Sequence, residues 1–362
     1  MYIEIATTPN TTQKETGFGG LIACESLQEA IQKAGHRVKL NVCQTEADLG
    51  AIVERNPDLV VLAVKYLEME CGEDLWLADY FQYHQVNFTG SQRRVLRFDS
   101  NKISAKKHLR KQGVATADFF TAEPGQFKST DETPMRFPFF VKPSDAANGN
   151  GVDDLSFVED FTAFQAKVSA LHETYHLPVL VEQYLDGREF TVAIIEAPNG
   201  RLIVSAIEIV PPETGNGLRI LGERVKREDS EELIPIDDGT LEQKVAELAI
   251  SAFRKLGARD FGRIDIKSTK EGECFFLEAN LVPGMTCGSS YFPRACEIAN
   301  ALSYESVVRL MLESALCRQT GQKIGVSGQP QPLALRIPTA SWRLESEHGL
   351  LGETTTQGYV RQ

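Results

Sequence analysis

The chain has 362 residues, 42% hydrophobic and 24% charged, with a formal net charge of -12 at pH 7. The composition is that of an ordinary folded chain, the length suggests roughly two or three domains, and a core of this size needs no disulfide or metal staples. The negative balance excludes non-specific nucleic-acid binding, which requires a positive field, but leaves room for a locally positive pocket.

The N-terminus, MYIEIATTPN, lacks the basic stretch and long apolar run of a leader peptide, and no segment reaches the ~18 apolar residues of a membrane span. Tyr2–Ala6 reads as a short strand. Leu21–Ala34 reads as a helix with Ile22, Leu27, Ala30, Ile31 and Ala34 on one face and Gly35 ending it. Val38–Cys43 is a second strand, Leu49–Glu54 a short helix closed by Asn56-Pro57, and Asp58–Val64 a continuous apolar run of the kind a buried parallel strand shows. Leu75–His84 is a further helix. This β-α-β order predicts an open parallel sheet.

Asn101–Gln112 is a basic helix ended by Gly113, and the pattern changes near Thr116. Phe137–Lys142 and Leu180–Glu182 read as strands with a helix, Val158–Tyr175, between them. That helix buries Phe161, Phe164, Val168, Leu171 and Tyr175 at helical spacing. Phe190–Ile195, Arg201–Val210, Phe261–Ile266 and Glu273–Glu278 are expected strands, and Glu242–Lys255 and Ala299–Leu316 expected helices. The tail, rich in Gly, Pro, Gln and Thr, reads as an extended appendage with one strand at Pro332–Ile337. Seven cysteines with no C-x-x-C pair are expected to be reduced thiols of a cytoplasmic protein.

Three segments carry chemistry. In Phe261–Thr286, Asp265 lies on one strand and Glu278 and Asn280 end the next, with a turn at Glu271-Gly272 between them. Residues two apart on a strand share a face, so a hairpin brings two carboxylates and an amide oxygen together, a donor set suited to Mg²⁺. Arg263 faces the same way, placed to stabilise an oxyanion or a transferring phosphoryl group. The alternative is a hairpin with a merely polar outer face; delivery of the two acids straight into Pro283-Gly284-Met285-Thr286 argues against it. In Pro138–Val152, a buried strand ends in Lys142 and a Gly/Asn-rich loop follows, able to turn N–H groups toward phosphate; most such loops are simply turns. In Val179–Ile195, the strand through Glu182, Gln183, Tyr184 and Leu185 offers its backbone to an adenine edge, and Glu189 offers its carboxylate to ribose hydroxyls; by itself the segment also reads as an edge strand at a hinge.

In order and spacing these segments resemble the D-alanine–D-alanine ligases of the ATP-grasp superfamily, from about Asn101 to about Leu316 with a weaker continuation to the N-terminus. The resemblance implies an α/β fold, α+β in its ATP-grasp part: an N-terminal open parallel sheet (1–100), a small ATP-grasp lobe (101–185), a large catalytic lobe (186–318) and a C-terminal extension (319–362). It implies ATP and two magnesium ions, with manganese as a substitute. Lys102 and Lys142 match the family's nucleotide-phosphate lysines, Glu182, Gln183, Tyr184 and Leu185 its adenine-side hinge, and Glu189 its ribose carboxylate. Asp265, Glu278 and Asn280 match its metal ligands, Arg263 its oxyanion arginine, and Gly284 and Ser289 its second-amino-acid site. Asn87-Phe88-Thr89-Gly90-Ser91 resembles the T-G-S strand end of its N-terminal domain. The implied activity joins a carboxylate to an amine through an acyl phosphate, in a homodimer acting on small molecules without nucleic-acid or membrane partners.

The sequence departs from the family around the substrates. Glu15 stands where the family holds the first ammonium group, but the run after it differs; Glu68 occupies a histidine position; Asn148 and Gly149 replace paired serines; and LGERVKRED offers Arg224 and Lys226 without a tyrosine. The altered half motivates a second reading, a nucleotide-binding sensor or scaffold without ligase activity, which retention of Arg263 opposes. A remote third is zinc hydrolysis through the H-E-x-x-H of His172 and His176, with Glu196 as a third ligand, set against a solvated helix flank. Gly17-Phe18-Gly19-Gly20 falls short of a dinucleotide fingerprint, since Val38–Cys43 runs into Gln44 rather than an acid.

Overall fold

The computed structural model describes residues 1–9, 17–69, 72–99, 101–145 and 149–320. Glu15, Asn148 and the strand expected at Pro332–Ile337 lie outside the described residues.

The chain opens as β1 (Tyr2–Thr7), α1 (Leu21–Lys33), β2 (Arg37–Val42), α2 (Glu46–Glu54) and β3 (Leu59–Leu62), and the strands form a parallel sheet in the order β2-β1-β3. Local chemistry fixes the ends. Gly35 takes φ 85° after α1, and Thr45 and Asp48 form a reciprocal capping box at the start of α2. The expected helix at Leu75–His84 begins later, because Leu75-Trp76 form strand β5 against β4 (Tyr66–Leu67) before α3 (Leu77–Tyr83) starts. The short α4 (Arg93–Leu96) follows.

After α5 (Lys102–Lys111) come β6 (Phe119–Ala122), β7 (Phe139–Lys142), β8 (Phe157–Val158), α6 (Phe161–Tyr175) and β9 (Val179–Gln183). They make an antiparallel sheet in the order β6-β9-β7-β8, with α6 packed on it over a phenylalanine-rich core. Val158, read as the start of the helix, pairs with β7 instead, together with Phe157; the Asp160 side chain accepts from the Ala163 N–H and starts α6 there.

The remaining elements are β10 (Glu189–Glu196), β11 (Leu202–Val210), α7 (Glu223–Glu228), β12 (Glu232–Pro235), α8 (Gly239–Leu256), β13 (Phe261–Ser268), β14 (Cys274–Asn280), α9 (Tyr291–Asn300) and α10 (Tyr304–Thr320). Their antiparallel sheet runs β12-β11-β10-β13-β14. The single helix expected at Ala299–Leu316 is two helices. Ala301 takes a left-handed φ of 52°, ending α9, and Ser303 caps the new start by accepting from the Ser306 N–H. No helix among the described residues is long and apolar enough to cross a membrane.

The T-G-S segment is bolted to the start of β13 rather than to the site. Buried Asp260, itself at φ 65°, accepts from the Gly90 N–H at 2.7 Å and pairs with Arg318 of α10, which also donates to the Phe88 carbonyl. Asp260→Ala leaves Arg318 Nη1 and the Gly90 N–H without this partner, and should cost about 2–3 kcal/mol in urea unfolding. A loss below about 1 kcal/mol would show that this junction does not hold the N-terminal segment to β13 and α10.

Candidate active site

One hairpin organises the site. β13 pairs with β14 so that Arg263 faces Asn280 and Asp265 faces Glu278, but the next pair is Ile266 with Phe276. Leu277 is therefore an extra residue. Strict alternation would put Phe276 on the same face as Glu278; the bulge turns Phe276 into the core and leaves Leu277 and Glu278 lining a cleft. Asp265 is buried and hydrogen-bonded at both oxygens. It accepts from Arg263 Nε and Nη2 (3.0 and 2.9 Å), Thr191 Oγ1 (2.7 Å) and Asn280 Nδ2 (3.0 Å). Burial opposes the Arg263 charge, yet Asp265 beside it raises its pKa overall.

Cations converge on this face from separate elements. Lys102, at the start of α5, lies 3.2 Å from Glu278. Burial alone would push the Glu278 carboxyl up, but Lys102, Lys226, Lys142 and Arg263 hold it below the usual range. Lys142, at the end of β7, lies 2.6 Å from the Glu182 carboxylate, and Lys106 of α5 lies 2.5 Å from that carboxylate's other oxygen. Burial raises the Glu182 pKa and the two lysines overcome it, bringing it down to about 2.

Lys102, Lys142, Glu182, Gln183, Tyr184, Leu185, Glu189, Asp265 and Glu278 all line this one cleft. The edge-strand reading of this segment needs correcting at Glu182 and Gln183. β9 is an inner strand, paired to β6 and β7, and the Gln183 N–H already donates to the Asp118 carbonyl. The Glu182 side chain is committed to the two lysines. The chain leaves the strand after Gln183, although the Tyr184 N–H still donates to the Pro138 carbonyl at 3.4 Å, and Tyr184 and Leu185 line the cleft. Glu189 is half-engaged, with Lys267 Nζ 3.0 Å away.

Two loops close over the cleft. The Glu223 N–H donates to the Val152 carbonyl (3.0 Å), and the Gly151 N–H donates to the Glu223 carboxylate (3.3 Å). Gly222 permits the contact, since a Cβ there would stand 2.5 Å from Val152 O. Lys226, on α7, lines both this cleft and an adjoining cavity that contains Arg263, Asn280, Gly284 and Ser289.

The adjoining cavity also holds Lys65, Asp99, Glu231 and Tyr291, which motif reasoning did not single out. Asp99 pairs with Lys65 (2.6 Å) and accepts from the Leu281 and Val282 N–H groups (2.5 and 3.2 Å), fixing the chain as it leaves β14. Tyr291 donates to Glu231 and lies under the Arg263 guanidinium, 5.3 Å from it. Burial, then Glu231, raises the Tyr291 pKa. These residues come from remote loops and the start of α9, and no local pattern joins them. Lys106 had a signal: Lys102, Ala105, Lys106 and Leu109 form one buried helical stripe, with two lysines on the apolar face.

The zinc motif does not assemble. His176 sits past the end of α6 at φ 54°, off the helical face of His172, whose Nδ1 is 3.2 Å from the Leu177 carbonyl. Among the described residues, no group of three or more His, Cys, Asp or Glu is placed to hold a metal.

Residues 104–313 match the family model described as D-ala D-ala ligase C-terminus. The chain is 32% identical over 257 residues to a D-alanine–D-alanine ligase of Nocardia farcinica, covering 69% of this chain and 68% of that one. A solved D-alanine–D-alanine ligase from Bacillus anthracis shares the fold at a TM-score of 0.68 and 19% identity, covering 89% of this chain and 99% of that one. The same enzyme complexed with ATP gives 0.66 and 21%, with the same coverage.

Gly222→Ala tests the loop closure. It should lower kcat/KM by about tenfold or more while leaving unfolding stability within about 1 kcal/mol, because the added Cβ meets Val152 O rather than the core. Unchanged kinetics would mean that this docked arrangement plays no part in turnover.

Proposed function

The chain belongs to the D-alanine–D-alanine ligase family of ATP-grasp enzymes, ATP-dependent carboxylate–amine ligases, and on that premise we propose that it joins two amino acids into a dipeptide at the paired cavities described above. Neither the sensor reading nor zinc hydrolysis is favoured beside this one. The observation that carries the proposal is the division of labour along the hairpin: Asp265 and Glu278 line the nucleotide cleft, while their neighbours Arg263 and Asn280 line the adjoining cavity. One rigid element thus addresses both the phosphate and the carboxylate it activates.

In this reading Tyr184 and Leu185 border adenine, Glu189 takes the ribose hydroxyls, and Lys102, Lys142 and Lys226 bind the phosphates. Asp265, Glu278 and Asn280 are an oxygen-donor set suited to magnesium: Asn280 gives its amide N–H to Asp265, leaving its carbonyl oxygen as the ligand. Magnesium would neutralise phosphate charge. One substrate's carboxylate oxygen attacks the γ-phosphorus, the bond to the β-phosphate bridging oxygen breaks, and ADP leaves. The amine of the second substrate then attacks the acyl carbon and inorganic phosphate departs with its oxygen. Arg263 faces the oxyanion formed in that step, held in place by Asp265. The docked loops exclude water, which would otherwise hydrolyse the acyl phosphate. Gly284 and Ser289 border the amine substrate, and Glu15 is assigned to the first ammonium group. We assign the lobes to 1–100, 101–185 and 186–318, the extension to 319–362, and the enzyme to the cytoplasm as a homodimer.

Phosphate release from ATP with magnesium, measured across D- and L-amino acids singly and in pairs with mass spectrometry of products, should require a pair and yield a dipeptide. Release without any coupled product would sink the amino-acid reading. Glu278→Ala should lower turnover by about 100- to 1000-fold or more without unfolding the chain; near-normal activity would remove Glu278 from the metal site. Ser289→Ala should raise KM for the amine substrate about tenfold more than KM for ATP, and equal effects on both would take Ser289 out of the acceptor site.

A further inference from the structure

Glu182 presents a problem that the reaction scheme leaves open. Its carboxylate is buried, and each oxygen is matched to a different lysine: Oε1 to Lys106 at 2.5 Å and Oε2 to Lys142 at 2.6 Å. Lys142 also lines the nucleotide cleft, whereas Lys106 does not. Lys106 is wholly buried and is tethered away from the cleft, donating to the Phe276 carbonyl of β14 at 3.0 Å. One lysine of the pair is therefore free to turn toward a ligand and the other is not.

We propose that Lys106 is a positioning residue that retains the Glu182 carboxylate and so releases Lys142 to the nucleotide phosphates. The argument rests on the assignment of Lys142 to phosphate made above. When phosphate enters, Lys142 has two anions to choose between. If it leaves Glu182 with no other counter-ion, a buried carboxylate stays behind unpaired, which is strongly unfavourable. That penalty would be subtracted from the affinity for ATP. Lys106 removes it, because the carboxylate keeps a cation 2.5 Å away whichever way Lys142 turns. Lys106 also ties β9 to β14 through Glu182 on one side and the Phe276 carbonyl on the other, so the retained carboxylate cannot follow Lys142 into the cleft.

The test is equilibrium binding by calorimetry of ATP with magnesium, and of adenosine as a phosphate-free control, to the full chain and two variants. Lys106→Met should weaken ATP about tenfold or more and leave adenosine within about twofold, since only the phosphate lysine is held back. The double variant Lys106→Met/Glu182→Gln, with no carboxylate competing for Lys142, should recover ATP affinity to within about threefold of the original chain. A parallel loss of ATP and adenosine binding in Lys106→Met would overturn the proposal in favour of a purely structural lysine, and so would unchanged ATP affinity. Should Lys106→Met not fold, the double variant decides alone: adenosine bound normally with ATP still about tenfold weaker overturns the proposal. Failure of the unaltered chain to bind ATP would instead refute the nucleotide-site assignment itself.

Discussion

Buried charge is the constraint from which the rest of this structure follows. The chain as a whole is acidic, yet its cleft is lined by Lys102, Lys142, Arg219, Lys226 and Lys267 beside Glu182, Glu189, Asp265 and Glu278, with Lys106 and Arg263 behind these carboxylates. Cations outnumber carboxylates there, so the cleft carries the positive surplus that a polyphosphate requires, and the surplus is local enough to leave the outer surface negative. No one element supplies it. Lys102 and Lys106 come from α5, Lys142 from β7, Lys226 from α7 and Arg263 from β13. Like charges brought together this way repel, and each carboxylate offsets that repulsion between two elements. Glu182 does so between α5 and β7, and Glu278 is held down by cations from four elements at once.

The same constraint explains which parts of the fold could be read from the amino-acid sequence. Period-two and period-3.6 patterns placed most strands and helices, because β3 is a continuous apolar run and α8 is strongly amphipathic. The hairpin acids were legible for a related reason, since two residues apart on a strand means one shared face. The break between α9 and α10 was not legible. Apolar residues continue at helical spacing through Ala301, and only the backbone turn at that residue, with Ser303 beyond it, divides them.

Sequence reading also went astray at β9, in an instructive way. A short apolar segment ending in Glu-Gln looks like an edge with a solvated end, but the four-stranded sheet places it inside, and the glutamate is buried because two lysines from elsewhere answer it. Residues whose role depends on partners more than fifty positions away, such as Asp99 beneath Leu281 and Val282 or Glu231 beside Tyr291, leave no local trace. The cavity beside Arg263 draws several of its residues from such pairings, and the cleft beside Lys142 fewer. That is why the chemistry of phosphate was easier to recognise than the identity of the amino acids.

The turn after β14 is held from both ends of the chain. The Met285 N–H donates to the Phe18 carbonyl, the Tyr304 hydroxyl donates to the Met285 carbonyl, and Gly17 lets the N-terminal loop press against Ala63, where a side chain would collide. The N-terminal loop and the start of α10 thus meet at one residue, Met285, beside Gly284. Modular inheritance is poorly suited to such an arrangement. A hybrid that drew its first hundred residues from one parent and its catalytic lobe from another would keep the nucleotide cleft, whose parts lie downstream of the crossover. The acceptor turn would be left with an unmatched partner. The loop at Phe18 and the turn at Met285 therefore keep their contact only if they change together, and exchange of whole blocks breaks it.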